Sequence, residues 1–301
     1  MSPLRKTGAF AAALTAAFAA AYGVGSAVAP VDGGRTQETA HASMADDDGH
    51  AAQEPTAPHA PAGLQVTENG YTLDLETTSL PAGARTTLRF VVRDAEGAPV
   101  TAYRTEHGKQ LHLIVASREL TAYRHLHPTR AADGTWSTPV ELPEAGGYRV
   151  FADFTPAAAQ EGLTLGSDLA VTGRYAAHTL PAPATTTTVD GYTVRLDGAL
   201  APGRDSDLTF TVSRAGRPVT TLQPYLGAHG HLVALRSGDL AYLHVHPHEE
   251  AKGTTPSGPE VTFTATTPTP TPGTYRLFLD FKVAGTLHTA AFTTTTTGQG
   301  Y

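Results

Sequence analysis

The sequence contains one segment twice, and this repeat limits the possible folds more than any other feature. Residues 64–175 and 188–298 carry the same motifs in the same order. A repeat of this length indicates that one structural unit has been duplicated within the chain. The matched pairs are NGYTLDL (69–75) with DGYTVRL (190–196), TTLRFVV (86–92) with SDLTFTV (206–212), GAPVT (97–101) with GRPVT (216–220), LHLIVASRELTAYRHLHP (111–128) with GHLVALRSGDLAYLHVHP (230–247), and GGYRVFADF (146–154) with GTYRLFLDF (273–281).

Each copy consists of short runs in which apolar and polar residues alternate, separated by turn clusters such as LPAGA and RAADG. Alternation with a period of two is typical of a β-strand with one buried face. Strands of this length and spacing, without any segment of helical period, indicate a sandwich of the immunoglobulin type. The sequence therefore predicts an all-β protein with two tandem immunoglobulin-like antiparallel β-sandwich domains. We call residues 64–175 module 1 and residues 188–298 module 2, with a linker at 176–187.

The N-terminal segment, residues 1–30, has the layout of an export signal. Arg5 and Lys6 precede an uncharged, Ala-rich run at 8–29. That run is also long enough to cross a bilayer, which takes about 20 residues. We expect a signal peptide or a membrane-anchor helix, and in both cases an extracytoplasmic protein, secreted or held at the outer face of the cytoplasmic membrane by residues 8–29. Residues 31–63 are rich in Ala, Pro, Asp and His without an apolar period, and are predicted to form a disordered tether.

The composition excludes several kinds of site. The chain has no Cys, which excludes disulfides, thiolate metal sites, blue-copper centres and a Cys nucleophile. It has only 2 Met, so a Met-rich Cu(I) site is not expected. Its formal net charge of -7 argues against a nucleic-acid partner, which would require a basic face.

The motif H-x-H-P occurs once in each module. In module 1, the strand that begins at His112 runs into a short turn and returns through His125 and His127. Side chains two positions apart on a strand face the same side of the sheet, so His125 and His127 are predicted to lie on one face. Folding the hairpin places His112 near His127, with opposed Cβ atoms about 5 Å apart. The spacing of 13 residues from His112 to His125 is repeated from His231 to His244.

Three imidazoles on one sheet face of each module suit Zn(II) or Cu(II), both of which bind imidazole nitrogen. His229 shares a strand face with His231, whereas module 1 has Gln110 at that position. Asp153 and Asp280 occupy matching places in the strands FADF and FLDF, and are predicted to orient or complete the metal site. The predicted metal-site residues are His112, His125, His127, His229, His231, His244, His246, Asp153 and Asp280.

Three further residues are weaker candidates, because each occurs in one copy only. They are Glu106, His107 and His288. Free imidazole protonates near pH 6.5, so metal binding is expected to weaken as the pH falls through about that value.

The run from HLIVAS through HLHP to YRVFADFTP resembles a group of bacterial, often actinobacterial, exported proteins described as hypothetical or heavy-metal-binding-domain proteins. The likeness covers nearly the whole exported part of the chain. It implies an envelope protein with immunoglobulin-like modules and a role in handling copper or another transition metal. It implies no enzymatic activity.

Two hypotheses follow for the function. The first is an extracytoplasmic protein that buffers or delivers Cu(II) or Zn(II), with the ion and an envelope protein as partners and with membrane contact only through the N-terminal segment. The second is a non-metal envelope interaction or adhesion protein in which the His clusters are structural. The two differ in whether the imidazoles lie together or are held apart in separate hydrogen bonds. An enzyme is not expected, because motifs such as H-E-x-x-H and G-x-S-x-G are absent.

Overall fold

The computed structural model describes residues 61–202, 205–243, 245–248, 255–265 and 271–296, without the side chains of His246 and Ala265. The predicted signal or anchor and most of the predicted tether therefore lie outside the described residues. No helix in the described part of the chain has the length and apolar character that a membrane crossing requires.

Module 1 is a sandwich of two five-stranded sheets. One sheet has the order β1-β2-β4-β8-β7, and the other has the order β3-β10-β9-β5-β6. Its strands are β1 (Thr67–Glu68), β2 (Tyr71–Leu75), β3 (Ser79–Pro81), β4 (Arg85–Arg93), β5 (Leu111–Ser117), β6 (Tyr123–Leu126), β7 (Thr129–Arg130), β8 (Trp136–Glu141), β9 (Gly146–Phe154) and β10 (Leu163–Thr172).

Module 2 repeats this arrangement. One sheet has the order β11-β12-β13-β18-β17, with β14 paired to β13, and the other has the order β16-β15-β19-β20. Its strands are β11 (Thr186–Val189), β12 (Tyr192–Asp197), β13 (Ser206–Arg214), β14 (Arg217–Pro218), β15 (His231–Arg236), β16 (Tyr242–Leu243), β17 (Val245–Pro247), β18 (Glu260–Ala265), β19 (Gly273–Val283) and β20 (Thr286–Thr296).

The predicted fold class is confirmed for the described residues: both modules are immunoglobulin-like β-sandwiches. The described strands pair in antiparallel fashion except β3 and β10, which run parallel with Ala170 opposite Ser79. Each module has its own apolar core between its two sheets. The H-x-H-P motif of module 1 spans the end of β6 and the point where the chain crosses from that sheet to β7 in the other sheet.

The two modules dock through the outer faces of the sheets that contain β5 and β15; we call these the docking sheets. β5 is buried at every position, so one of its faces fills the module core and the other covers module 2. A third apolar cluster forms this interface. Its residues include Ile114, Ala116, Leu120, Tyr123 and Phe151 of module 1, with Val233, Leu235, Leu240, Tyr242 and Phe278 of module 2, and the linker residue Leu180 packs against it.

This interface has pseudo-two-fold symmetry, because equivalent residues exchange partners across it. Tyr123 stacks on Phe278, with ring centroids 4.0 Å apart and planes 6° apart. Tyr242, the repeat equivalent of Tyr123, packs on Phe151 at 5.8 Å. Contacts in which residue i meets j and j meets i are the pattern of an isologous interface.

Residues 61–63, at the end of the predicted tether, contact both modules. The Nε–H of Arg149 donates to the Gly63 carbonyl at 2.8 Å. The Tyr242 amide donates to the Ala62 carbonyl at 2.9 Å. This short segment therefore crosses the boundary between the docking sheets.

Candidate metal centre between the modules

The β5–β6 hairpin brings together the three histidines of module 1. Leu113 opposes Leu126 in this hairpin, which places His112 opposite His127 as predicted. The ring centroids are 5.2 Å apart for His112 and His127, 5.4 Å for His112 and His125, and 4.8 Å for His125 and His127. One nitrogen from each ring lies within 4.8 Å of the other two. These three side chains therefore form one cluster, which we call the His triad.

His231 of module 2 joins the His triad of module 1. Its ring stacks on that of His112, with centroids 5.3 Å apart and planes 16° apart, and lies 5.4 Å from His125. His231, which was predicted as a ligand in module 2 together with His244 and His246, therefore contacts the cluster of module 1, while its contacts with those two residues lie outside the described side chains. The reason is the docking of the modules, which brings the starts of β5 and β15 together.

Three other predicted ligands are not seen in this cluster. The Nε2–H of His229 donates to the carbonyl of Thr255 at 2.9 Å. His244 lies outside the described residues. Only the backbone of His246 is described, where it pairs with Thr264.

Asp280 acts across the interface. Its Oδ2 accepts a hydrogen bond from Nδ1–H of His125 at 2.8 Å, and the two side chains are 1% and 2% exposed. Its Oδ1 accepts a hydrogen bond from the Thr289 hydroxyl. Asp153, the equivalent carboxylate of module 1, accepts one from the Thr164 hydroxyl at 3.1 Å. Asp153 lies opposite His112 and Asp280 lies opposite His231, each within its own module, but Asp280 accepts a hydrogen bond from an imidazole of module 1.

The contact with Asp280 determines which nitrogen of His125 is free. A neutral imidazole carries one proton, and the carboxylate holds it on Nδ1, which leaves the lone pair on Nε2. That Nε2 lies 3.2 Å from Nδ1 of His112, whose own Nε2 lies 3.4 Å from the backbone oxygen of Glu106. If the Nε2–H of His112 donates to this carbonyl, the lone pairs of His112 Nδ1 and His125 Nε2 face each other across 3.2 Å.

The separation of these two nitrogens fits a shared ion. Zinc binds imidazole nitrogen at about 2.0 to 2.1 Å, so two nitrogens at a tetrahedral angle around one ion lie about 3.3 Å apart. His127 Nε2 and His231 Nε2 are both buried and have no hydrogen-bond partner among the described residues. Burial of an unpaired polar group costs about 1 to 3 kcal/mol, so these nitrogens favour a ligand that accepts their lone pairs.

Burial favours the neutral form of His112, His127 and His231 by lowering their pKa values. It lowers the pKa of His112 to about 4, with a further contribution from His125. It lowers the pKa of His127 to about 3 for the same two reasons, together with repulsion from His112. The pKa of His231 is also held well below its usual value by burial and by the neighbouring imidazoles. Neutral imidazole is the form that binds metal, so proton competition is expected well below pH 6.5, lower than free imidazole implies.

Two short turns cover the cluster. One is Glu106–Lys109 and the other is its repeat equivalent, Tyr225–Ala228. Both central residues of each turn have positive φ: 50° and 76° at His107 and Gly108, and 56° and 80° at Leu226 and Gly227. This is the geometry of a type I′ turn, and glycine adopts it without steric cost.

These turns add two aromatic rings to the cluster. The ring centroids of His107 and His231 are 5.4 Å apart, and those of Tyr225 and His127 are 5.9 Å apart. The sequence indicates His107 only weakly and does not indicate Tyr225. The available signal was the dipeptides H-G and L-G, which stand at equivalent positions before β5 and β15.

A small cavity of about 80 Å³ adjoins the cluster. Its walls include His112, His125 and His231, together with Glu106 and Lys109 of the first turn. A volume of this size is large enough for an ion with bound water.

The comparison with protein families matches both modules. Residues 65–166 and 187–298 match the family described as Domain of unknown function (DUF8832). The chain belongs to this family. Each of the two matched segments of this chain contains one H-x-H-P motif, so the histidine cluster lies between two copies of the domain. The resemblance noted in the sequence is supported for the duplicated domain, and its metal-handling part remains a proposal.

Solved structures resemble the pair of DUF8832 domains at low identity. FdeC, an Escherichia coli adhesin, is 17% identical with a TM-score of 0.25, over 77% of this chain and 65% of that one. Invasin, a bacterial integrin-binding protein, is 13% identical with a TM-score of 0.23, over 77% and 41%. Tandem titin Ig domains are 11% identical with a TM-score of 0.20, over 75% and 97%. The chain spans less than two thirds of the FdeC and invasin chains. No curated protein matches it.

Proposed function

We propose that this chain is an extracytoplasmic protein that binds Cu(II) or Zn(II) between its two modules and buffers or delivers the ion. The ligands are His112, His125, His127 and His231. The observation that carries the proposal is the 3.2 Å separation of His112 Nδ1 and His125 Nε2, with the buried Nε2 atoms of His127 and His231 beside them.

The chemistry of the donor set supports a borderline transition metal. Neutral imidazole suits zinc and Cu(II), whereas Ca(II) and Mg(II) require oxygen ligands. Asp280 accepts the Nδ1 proton of His125, as carboxylates commonly do behind metal-bound histidines. Cu(II) also accepts four ligands in a nearly planar arrangement, so the donor set alone does not distinguish Cu(II) from Zn(II).

The extracytoplasmic location rests on the basic residues and apolar run of the N-terminal segment. In this proposal the membrane is contacted only through residues 8–29, and an envelope protein is the partner that receives the ion. No nucleic acid and no catalytic step are part of the proposal.

Calorimetric titration of the chain with Zn(II) and Cu(II) tests the proposal. All versions carry His41→Ala, His50→Ala and His59→Ala, so that the tether adds no imidazole ligands. We expect stoichiometric binding that is lost in the double variant His125→Ala, His127→Ala. The matched control is His178→Ala with His248→Ala, which removes two solvent-exposed imidazoles paired with Glu144 and Asp207.

A further variant, His244→Ala with His246→Ala, decides the stoichiometry. If the parent binds one ion per chain and this variant still binds it, there is a single centre on the His triad and His231. If the parent binds two ions and the variant binds only one, there are two centres. If the folded parent binds neither metal, the proposal fails and the buried network serves a structural role in an interaction protein.

A further inference from the structure

Both modules contribute to the candidate centre. Module 1 supplies the His triad. Module 2 supplies His231, which lies 5.3 Å from His112, and Asp280, which holds His125 at 2.8 Å. Separation of the modules would remove one imidazole and the carboxylate that orients another.

The interface differs in chemistry along its length. One part is the apolar cluster centred on the stacked rings of Tyr123 and Phe278, 4.0 Å apart. The other part buries His127 Nε2 and His231 Nε2 without partners among the described residues. Docking is thus favourable at the apolar part and costly at the histidine part when no ion is bound.

We propose that the bound ion is a reversible clamp that fastens module 1 to module 2. This inference rests on the metal binding proposed above. The ion coordinates imidazoles of both modules and removes the penalty of the unpaired nitrogens, so its binding stabilises the docked state. By linkage, a ligand that binds the docked state more tightly strengthens docking by the ratio of its affinities for the two states.

The size of this effect can be estimated from the groups that undocking removes. Loss of a partner that orients a metal-bound histidine typically weakens metal binding about 10-fold to 100-fold. Undocking removes Asp280 and also His231. The ion is therefore expected to raise the association constant of the modules by at least about tenfold.

The experiment cuts the folded chain within the linker. Residues 181–185 are exposed, and a protease recognition sequence inserted after Ala182 leaves Leu180 in its contact with the interface. After cleavage, residues 1–182 and 183–301 are no longer joined covalently, and noncovalent contacts hold them together. Their dissociation constant is measured by sedimentation over a dilution series, with Zn(II), with Cu(II) and with a chelator.

We expect tighter association with the metal, at least about tenfold, and reversal by the chelator. The variant His231→Ala with Asp280→Asn is expected to lose this gain while the His triad still binds metal. If the cleaved protein associates too tightly for dissociation to be seen, Phe278→Ala weakens the apolar part and is measured in the same way.

The outcomes separate the two proposals. If the uncut chain binds no metal, the proposed function fails and the clamp fails with it. If the uncut chain binds metal but the ion leaves the association of the fragments unchanged, only the clamp is overturned. Fragments that stay together without metal even in the Phe278→Ala variant also overturn it, because the apolar surface then suffices.

Discussion

Asp280 is a fully buried carboxylate that accepts a hydrogen bond from an imidazole of the other module. A buried carboxylate without hydrogen bonds would be strongly unfavourable, and Asp280 has two donors, His125 and Thr289. The contact with His125 fixes the tautomer of that ring and directs its free nitrogen toward His112.

Asp280→Asn is expected to weaken metal binding by about 10-fold to 100-fold. The amide carries no negative charge, so it cannot raise the basicity of the His125 ring as the carboxylate does. Calorimetry with Zn(II) measures this. The matched control is Asp190→Asn, which changes a similar pair at His288, 2.7 Å apart and outside the cluster. Equal losses in both variants would show that Asp280 has no special role in binding.

Protonation of His112 is expected to make the metal-free protein less stable in acid. Above about pH 6.5 neither state binds this proton. Between about pH 6.5 and the folded pKa of about 4, the imidazole of His112 is protonated in the unfolded chain and neutral in the folded chain. The free energy of unfolding therefore falls as the pH drops, by about 3 kcal/mol in total for this residue, and the effect levels off below pH 4.

Urea unfolding at several pH values between 7.5 and about 4 measures this dependence. The variant His112→Gln is expected to show a shallower slope. His178→Ala, which removes an imidazole that is 42% exposed, is expected to keep the parent slope. A parent slope unchanged by His112→Gln would contradict the assignment.

At the scale of elements, the turn Glu106–Lys109 holds both the carbonyl that faces His112 and the ring of His107. Gly108 has a φ of 76°, and a Cβ there would meet nothing within 4 Å. Gly108→Ala is therefore expected to cost about 1 kcal/mol through the backbone alone, and to weaken metal binding by moving the turn. Gly83→Ala, at φ 69° and equally unobstructed, should cost the same in urea unfolding and leave metal binding unchanged.

The hairpin could be predicted from the sequence, whereas the partner of its histidines could not. Strand alternation and the short turn suffice to place His112 opposite His127. Nothing in the spacing shows that the outer face of β5 meets module 2, so the contact between His125 and Asp280, 155 residues apart, was beyond reach. One signal was available: residues 113–116, LIVA, are apolar at four successive positions, which is typical of a strand buried on both faces.

At the scale of the whole molecule, the docked faces are expected to make the modules unfold together. The chain has one Trp, Trp136, and it lies in the core of module 1. Its fluorescence therefore follows module 1, while far-UV circular dichroism follows both modules. In urea we expect the two transitions to coincide.

Phe278→Ala is expected to separate these transitions, because it removes the ring that stacks on Tyr123 and costs about 3 to 5 kcal/mol. Leu287→Ala, at an exposed position in module 2, is the control and should leave them coincident. Two transitions in the unsubstituted chain would contradict the coupling of the modules.

The exchange of equivalent residues across the interface makes this chain comparable to a homodimer that has been joined into one polypeptide. In a true homodimer every substitution appears on both sides of the axis, so an ion on that axis must take equal ligand sets from both subunits. Here Glu106 and Gln110 of module 1 stand where module 2 has Tyr225 and His229. A joined dimer can therefore give three ligands from one half and one from the other, and leave different side chains around the ion on each side.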